Sequence, residues 1–405
     1  MRGKSSLTLF LFLFSFICFG KNFSVIHYNI KELDTKKMRE GNPQVLLALD
    51  LIKKYPFELL SLNEIQYDLP GIPYASFTTK GKNIRFVGDT LEEGKNKEYF
   101  SLFHPGNTGH NAKKKRDGLY WPNLKNPKAR AFADPVNFGL FPGQYGIGGL
   151  FKFPLKKKTV LHQLKWKDFE PGVDLSTFRD ALGHSLPQDM ALFDKAFVHA
   201  VLDVDGEDLH MILLHTVPAF SFGNSRSINI KRNAAQLRFL EWFLTGKTFG
   251  QEVSLKGIRP LSSGDPFIAM GDFNVDFRDS QKEGAKVMRS LLEKVSLVGP
   301  MTHTYEAPGF QKRPRAMLLD YILYGGDHLQ LKKFLIHGAL SGRQELGCPK
   351  DKKDIPKKRE GKVLLKRKKG RKTCYFYVNK DYFEAKQASD HFLLWANFSL
   401  ENPRS

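Results

Sequence analysis

The string GDFNVD, Gly271 to Asp276, closes the apolar run PFIAM. An Asp and an Asn two apart on an extended segment point to the same side, so Asp272 and Asn274 can share one pocket above a strand end. There a carboxylate suits a hard cation, and a neutral amide can donate to a phosphate oxygen without adding negative charge. The same spacing also fits an Asp-rich turn after a strand. In SDHF, Ser389 to Phe392, Asp390 offers a second carboxylate beside His391, whose imidazole can pass a proton near neutral pH. In LLHTVP an apolar strand from Met211 delivers His215 to its C-terminal end just before Pro218, a place where a purely structural His is also at home.

Several elements must position these residues. FSVIHYNI, Phe23 to Ile30, is rich in β-branched and aromatic residues and predicts a buried strand ending at Asn29. Asn42 and Pro43 form an N-cap and first turn, after which Val45, Leu49 and Ile52 lay one apolar stripe on a core. A short strand over Leu59–Ile65 carries Glu64 at its end. Further strands are expected over residues 99–103, 146–151, 197–204, 210–217, 266–273, 316–324 and 391–398, and a helix over 230–244. Many strands with few helices imply layers of sheet covered by helices. Segments of about 104–142, 165–190 and 340–385 are polar, contain Pro or Gly and read as insertions.

The chain has 405 residues, 41% of them hydrophobic, enough to bury a large core, and we expect one large domain over residues 21–405. Lys and Arg number 63 against 42 Asp and Glu, so the formal charge of +21 favours polyanions such as nucleic acid or an anionic phospholipid surface. That charge is concentrated: between Lys350 and Lys372 there are 13 Lys or Arg and three acids, a local net of +10. The run fits either a solvated loop or a phosphate-binding one, with Lys366, Arg367, Lys368, Lys369, Arg371 and Lys372 at its densest part. At the N-terminus, Arg2 and Lys4 precede an apolar run from Leu7 to Phe19, too short to span a bilayer. Residues 1–20 therefore read as an export signal, to a secreted, periplasmic or envelope location, with acylation of Cys18 as an alternative. Cys348 and Cys374 could then bridge in an oxidising compartment.

Together the strings resemble the endonuclease/exonuclease/phosphatase family of deoxyribonuclease I-like enzymes, in order along the chain from about residue 23 to 399. Asn29 in HYNI is similar to that family's first-strand Asn, Glu64 in LNEIQ to its metal-binding Glu, and Asp272 with Asn274 to its GDxN pair. Asp320 in LLDYIL resembles the Asp that orients the final His, Asp390 with His391 resembles the closing SDH, and KEYFSLF resembles the segment whose Glu, here Glu98, orients the other catalytic His. Gln66 departs from the pattern, standing where an Arg near the phosphate is expected.

The resemblance implies a four-layer α/β sandwich, two sheets packed face to face and flanked by helices. It also implies a phosphodiesterase in which Glu64, Asp272 and Asp390 surround Mg²⁺ or Mn²⁺, with Ca²⁺ as a further option in a structural role. Asn29 and Asn274 would donate to phosphate or water. His215 and His391 would divide the proton work, oriented by Glu98 and Asp320 respectively. Asp320 is flanked by apolar residues, so it needs a partner, and His391 is the one proposed. Nucleic acid is the leading substrate and a sphingomyelinase-like activity on phospholipid the alternative. A non-catalytic polyanion-binding protein is the rival from another class. The expected state is a monomer without a protein partner.

Overall fold

Runs of β-branched and aromatic residues become strands, and the placing of their apolar side chains fixes which way each sheet faces. The computed structural model describes residues 20–66, 72, 83–92, 99–248, 251–299, 302–350 and 357–401. The strands begin with β1 (Lys21–Leu33), β2 (Leu59–Ile65), β3 (Phe100–His104), β4 (Gly146–Phe151), β5 (Leu155–Leu161), β6 (Phe197–Val204) and β7 (Glu207–His215). They continue with β8 (Lys247–Thr248), β9 (Gln251–Glu252), β10 (Phe267–Asp272), β11 (Ser296–Leu297), β12 (Tyr305–Glu306), β13 (Ala316–Met317) and β14 (Asp320–Gly325). Then come β15 (Leu329–Ile336), β16 (Gln344–Gly347), β17 (Lys362–Lys369), β18 (Lys372–Asn379) and β19 (Leu394–Leu400). The α-helices are α1 (Thr35–Arg39), α2 (Pro43–Lys53), α3 (Asn83–Leu91), α4 (Trp166–Phe169), α5 (Asn229–Thr245), α6 (Glu283–Leu292) and α7 (Lys380–Ala388).

Two six-stranded mixed sheets dominate, ordered β15-β19-β1-β2-β4-β3 and β11-β14-β10-β7-β6-β5. Val25, Leu59, Phe151 and Phe398 of the first meet Val198, Met211, Met270 and Ile322 of the second in a shared core. The outer face of the second sheet is covered by α5 and α6, and that of the first by α2, α3 and α7. The chain is therefore a four-layer α/β sandwich. Leu237, Phe239, Leu240 and Trp242 of α5 are buried, and such side chains contribute about 1.5–3 kcal/mol each. Asn42 caps α2 as its sequence implies, its side chain accepting from the Gln44 N–H. Among the described residues no helix is long and apolar enough to cross a membrane.

The elements differ from expectation where charge hides a pattern. β5, LKKKTVL, is an edge strand whose lysines face solvent, as edge strands favour, and α6 hides its apolar face among polar residues. The expected strand over 316–324 is broken into β13 and β14, because the backbone N–H groups of Leu319 and Asp320 turn to the Thr304 hydroxyl. The last strand starts at Leu394, leaving His391 on the approach to it. Much of the segment 340–385 is regular: β16, β18 and β17 form a three-stranded sheet in which Phe376 and Val378 are buried. The basic run is in part the β17–β18 hairpin, its two-residue turn made by Gly370, at φ 61°, and Arg371. A disulfide joins Cys348 to Cys374.

Gly271 marks where the two functional strands approach most closely. A Cβ there would lie 1.8 Å from the Leu214 carbonyl oxygen of β7, so no rotamer relieves it. Gly271→Ala is expected to cost about 3 kcal/mol or more, since the backbone itself must move. Thermal unfolding checks this, and an unchanged melting temperature would contradict the packing described.

Candidate functional site

The site lies at the seam between the sheets, and strand register builds it. On the second sheet Asp272 of β10 is level with His215 of parallel β7 and with Asp320 of antiparallel β14. In-register neighbours share a face, so these three side chains form one row. On the first sheet His27 pairs with Ser61 and Asn29 with Asn63, across the parallel pair β1–β2. Ser389 ties the SDH segment to this sheet: its hydroxyl donates to the Asn29 carbonyl at 2.8 Å and accepts from the His391 N–H.

The focus is one atom, Asp272 Oδ2. Asn29 Nδ2 donates to it at 3.1 Å, and the Nε2 atoms of His215 and His391 lie 3.7 and 3.8 Å away. The other oxygen of Asp272 accepts from the Asn274 N–H at 2.8 Å, and the Asp272 N–H donates to Asn63 Oδ1 at 2.8 Å. Asn29 Nδ2 also donates to Glu64 Oε1 at 3.1 Å. Where the sequence suggests a donor to phosphate, both amide hydrogens of Asn29 go to carboxylates, and its role here is to hold Glu64 and Asp272 together. Asn274 donates from Nδ2 to the Thr216 carbonyl at 3.0 Å.

Backbone distortions aim these groups. Glu64 and Asn274 have φ of 63° and 53°, left-handed values uncommon for residues with a Cβ. The β2–β4 register shifts at Glu64 and the β1–β2 register shifts between Asn29 and Leu33, the effect of bulges that turn side chains off the sheet plane. The second shift brings in Lys31 and Glu32, which motif reading passes over. Lys31 Nζ is 3.5 Å from Asp390, and the Glu32 N–H donates to Glu64 Oε2 at 3.1 Å.

Burial, then the Glu32 and Asp390 charges, push the Glu64 carboxyl up to about 7. Burial likewise raises Asp272, against the opposing charge of His391. Burial would lower His391, but Asp320 and Asp272 outweigh it and hold the imidazole well above its ordinary range; His391 in return holds Asp320 low. The His391 Nδ1–H donates to Asp320 Oδ2 at 2.7 Å, so Asp320 fixes the tautomer and leaves Nε2 facing the cleft.

His215 is different. Burial and the nearby Lys195 charge lower it well below its ordinary value, and its Nδ1 is buried with no hydrogen-bond partner among the described residues. Glu98, expected behind it, lies outside the described residues. Asp194 and the Thr216 carbonyl hold Lys195, at 2.8 and 3.2 Å. Gln66 is buried on the backbone side of α3, its carbonyl accepting from Asn83.

His27 is a further residue of this cluster that sequence reading missed. It is fully buried, its Nε2 donates to Asp320 Oδ1 at 3.2 Å, and its Nδ1 meets the Ser61 hydroxyl at 3.0 Å. Asp320 is thus clasped between two imidazoles. The available signal was the period-2 spacing from His27 to Asn29 on one strand, which puts both on the same face.

Buried carboxylates joined by one neutral amide, with protonation driven up by burial and then by neighbouring carboxylates, fit a hard divalent cation. Asp272, Asp320 and His391 also bring ligand atoms within 4.8 Å of one another. Both Asp320 oxygens are already engaged by His27 and His391, and the expected set of Glu64, Asp272 and Asp390 is not among the clusters of described residues whose ligand atoms lie that close together. The basic residues Lys366, Arg367, Lys368, Lys369, Arg371 and Lys372 stand on the β17–β18 hairpin, whose sheet abuts α7, the helix leading into Asp390.

A family model described as Endonuclease/Exonuclease/phosphatase family matches residues 27–391. No curated protein matches the sequence. Among solved structures, TDP2 of D. rerio complexed with single-strand DNA product is 12% identical, with 93% of this chain and 98% of that one covered and a TM-score of 0.46. An endonuclease/exonuclease/phosphatase from Beutenbergia cavernae is 12% identical, over 94% and 72% of the two chains, at a TM-score of 0.48. SmcL is 16% identical over 93% and 99%, at 0.42.

His27→Leu would leave Asp320 Oδ1 and Ser61 unpaired in the interior. The expected loss is about 2–3 kcal/mol of stability, the cost of a buried polar group without its partner. Urea denaturation reads it, and an unshifted midpoint would remove His27 from the account of Asp320.

Proposed function

The chain belongs to the endonuclease/exonuclease/phosphatase family, whose members are hydrolases acting on phosphoester bonds, and from there we propose that it is a divalent-metal-dependent phosphodiesterase acting on nucleic acid. The observation that carries this reading is the approach of two imidazole Nε2 atoms to a single carboxylate oxygen, Asp272 Oδ2, from two sides. Glu64, Asp272 and Asp390 would hold Mg²⁺ or Mn²⁺, which when bound neutralises charge growing on the phosphoryl oxygens. Asp320 raises the proton affinity of His391 and leaves its Nε2 facing the cleft, which fits it for proton transfer at the phosphodiester. Burial and the nearby Lys195 charge leave His215 with a low proton affinity, so the two imidazoles can divide the acid and base work between them.

Nucleic acid is supported by the hairpin, whose Lys366, Lys368, Lys369, Arg371 and Lys372 are all exposed beside the element that leads into the site. A phospholipid substrate is the second reading, favoured by two exposed apolar side chains, Phe222 at 66% and Leu340 at 77%, that could dip into a headgroup layer. The Cys348–Cys374 bridge supports export to an oxidising compartment, which we also propose.

Assays on plasmid DNA, RNA and sphingomyelin, with Mg²⁺ and with chelator, decide among these. Chelator-sensitive cleavage of nucleic acid is expected, and His391→Ala is expected to lower it by about 10²–10⁴-fold, the usual contribution of a positioned acid or base. Equal cleavage by wild type and His391→Ala would contradict the mechanism, and binding of DNA without cleavage of any phosphodiester would leave a polyanion-binding protein. Replacing Lys366, Lys368, Lys369 and Arg371 by Gln is expected to weaken DNA binding and flatten its salt dependence, since each phosphate contact releases counterions. Filter binding over a salt series measures the slope, and an unaltered slope would return the hairpin to a solvated surface.

A further inference from the structure

A second cavity adjoins the catalytic cleft, and the same short ribbon lines both. β12 pairs with β13, and Tyr305 bridges to His391. Successive residues of an extended segment point to opposite sides. Tyr305 accordingly sets its ring edge-to-face on the His391 ring, centroids 5.1 Å apart, while Glu306 lines a neighbouring cavity of about 220 Å³. The Glu306 N–H donates to the Asp390 carbonyl at 2.9 Å, so the cavity wall and the catalytic segment are directly joined.

Two charged groups of this cavity are incompletely satisfied. Glu306 is 2% exposed; its Oε1 accepts from the Tyr382 hydroxyl at 3.0 Å, and its Oε2 has no partner among the described residues. Arg343 lies 3.6 Å from the Phe376 ring centroid, with Nε donating to Glu345 and Nη1 to the carbonyls of Phe310 and Gln311. Its Nη2 is buried and unpaired among the described residues. A buried polar atom without a partner is costly, so the cavity suits a ligand that brings a donor to Glu306 and an acceptor to Arg343.

Charge and size narrow the ligand. One carboxylate is accompanied by Arg343, Lys312 and Lys386, whose Nζ donates to the Glu306 carbonyl at 2.6 Å, so a fixed positive charge such as a quaternary ammonium is repelled on balance. The volume falls below the roughly 300–1,000 Å³ of drug-sized sites, which limits the occupant to about one ring system. A neutral planar group with an amine beside an acceptor satisfies all of this. Carboxylates accept from the exocyclic amine of cytosine, and arginine donates to base acceptors. Uracil and thymine flank their one ring N–H with carbonyl oxygens, which a carboxylate rejects.

We infer that this cavity is a nucleobase subsite beside the scissile phosphodiester, selecting bases that bear an exocyclic amine. The His303 ring, packed edge-to-face on Phe392, supplies part of an aromatic wall against which such a base can lie. The inference rests on the phosphodiesterase reading only for its placement next to a scissile bond; the base preference is a binding property that can be measured alone.

The test is equilibrium binding of CMP, UMP and phosphocholine to the full chain, wild type and Glu306→Gln, by calorimetry with thermal melting as a folding control. CMP and UMP differ by one amine against one carbonyl. CMP is expected to bind about tenfold tighter than UMP, within the discrimination of a good base contact, and Glu306→Gln is expected to abolish or reverse that ratio. Equal binding of CMP and UMP by wild type overturns the inference, as does a ratio that survives Glu306→Gln. Phosphocholine binding that depends on Glu306 overturns it in favour of a lipid headgroup. Should Glu306→Gln melt early, Arg343→Lys carries the same test: about tenfold weaker CMP binding is expected, and unchanged binding overturns the inference. A chain that prefers CMP yet cleaves no phosphodiester keeps the base subsite and loses the catalytic reading, so the two failures are separate.

Discussion

Asp272 is a carboxylate buried at the junction of two β-sheets, and the arrangement around it follows from the cost of putting it there. A desolvated anion needs donors or a cation, and the second sheet alone does not supply enough. The first sheet answers with Asn63 on the Asp272 N–H and Asn29 on Oδ2, so that the polar site also joins the two layers. Because Asn29 simultaneously holds Glu64, neutralising one carboxylate alone does not relieve the other. The pair is left short of positive charge, a setting that suits the divalent cation proposed for it.

The same constraint sets the two imidazoles apart. His391 has a carboxylate behind it that is itself braced by His27, three side chains drawn from β1, β14 and the approach to β19. His215 has no such backing among the described residues and lies near Lys195. Two chemically identical side chains thus acquire opposite tendencies toward a proton from their surroundings alone, as the proposed acid–base division requires.

Much of this was legible in the sequence, for physical reasons. β2, β4 and β6 are near-continuous apolar runs because both faces of an interior strand are covered, and their limits match those read from composition. Asp272, His215 and Asp390 were identifiable as polar residues at the ends of such runs. What stayed hidden was set by tertiary partners. His27 sits inside an apolar strand and gains meaning only from Asp320, 293 positions away. Glu32 and Lys31 enter through a bulge that no local pattern announces. β17 is masked by its own lysines, since a hairpin with one face on α7 and the other in water need not alternate cleanly. Glu306 and Arg343, 37 positions apart with nothing in either neighbourhood to connect them, line one cavity through the packing of β12, β16 and α7.

The central claim is that residues from Asn29 to His391 make one metal-dependent phosphodiester-cleaving centre around Asp272. Its most direct test is Mn²⁺ binding, followed by electron paramagnetic resonance, alongside hydrolysis of bis(p-nitrophenyl) phosphate by wild type and Asp272→Asn at matched folded concentration. The account predicts that wild type binds the ion and hydrolyses the ester and that Asp272→Asn loses both together. Retention of Mn²⁺ binding and hydrolysis by Asp272→Asn would contradict it.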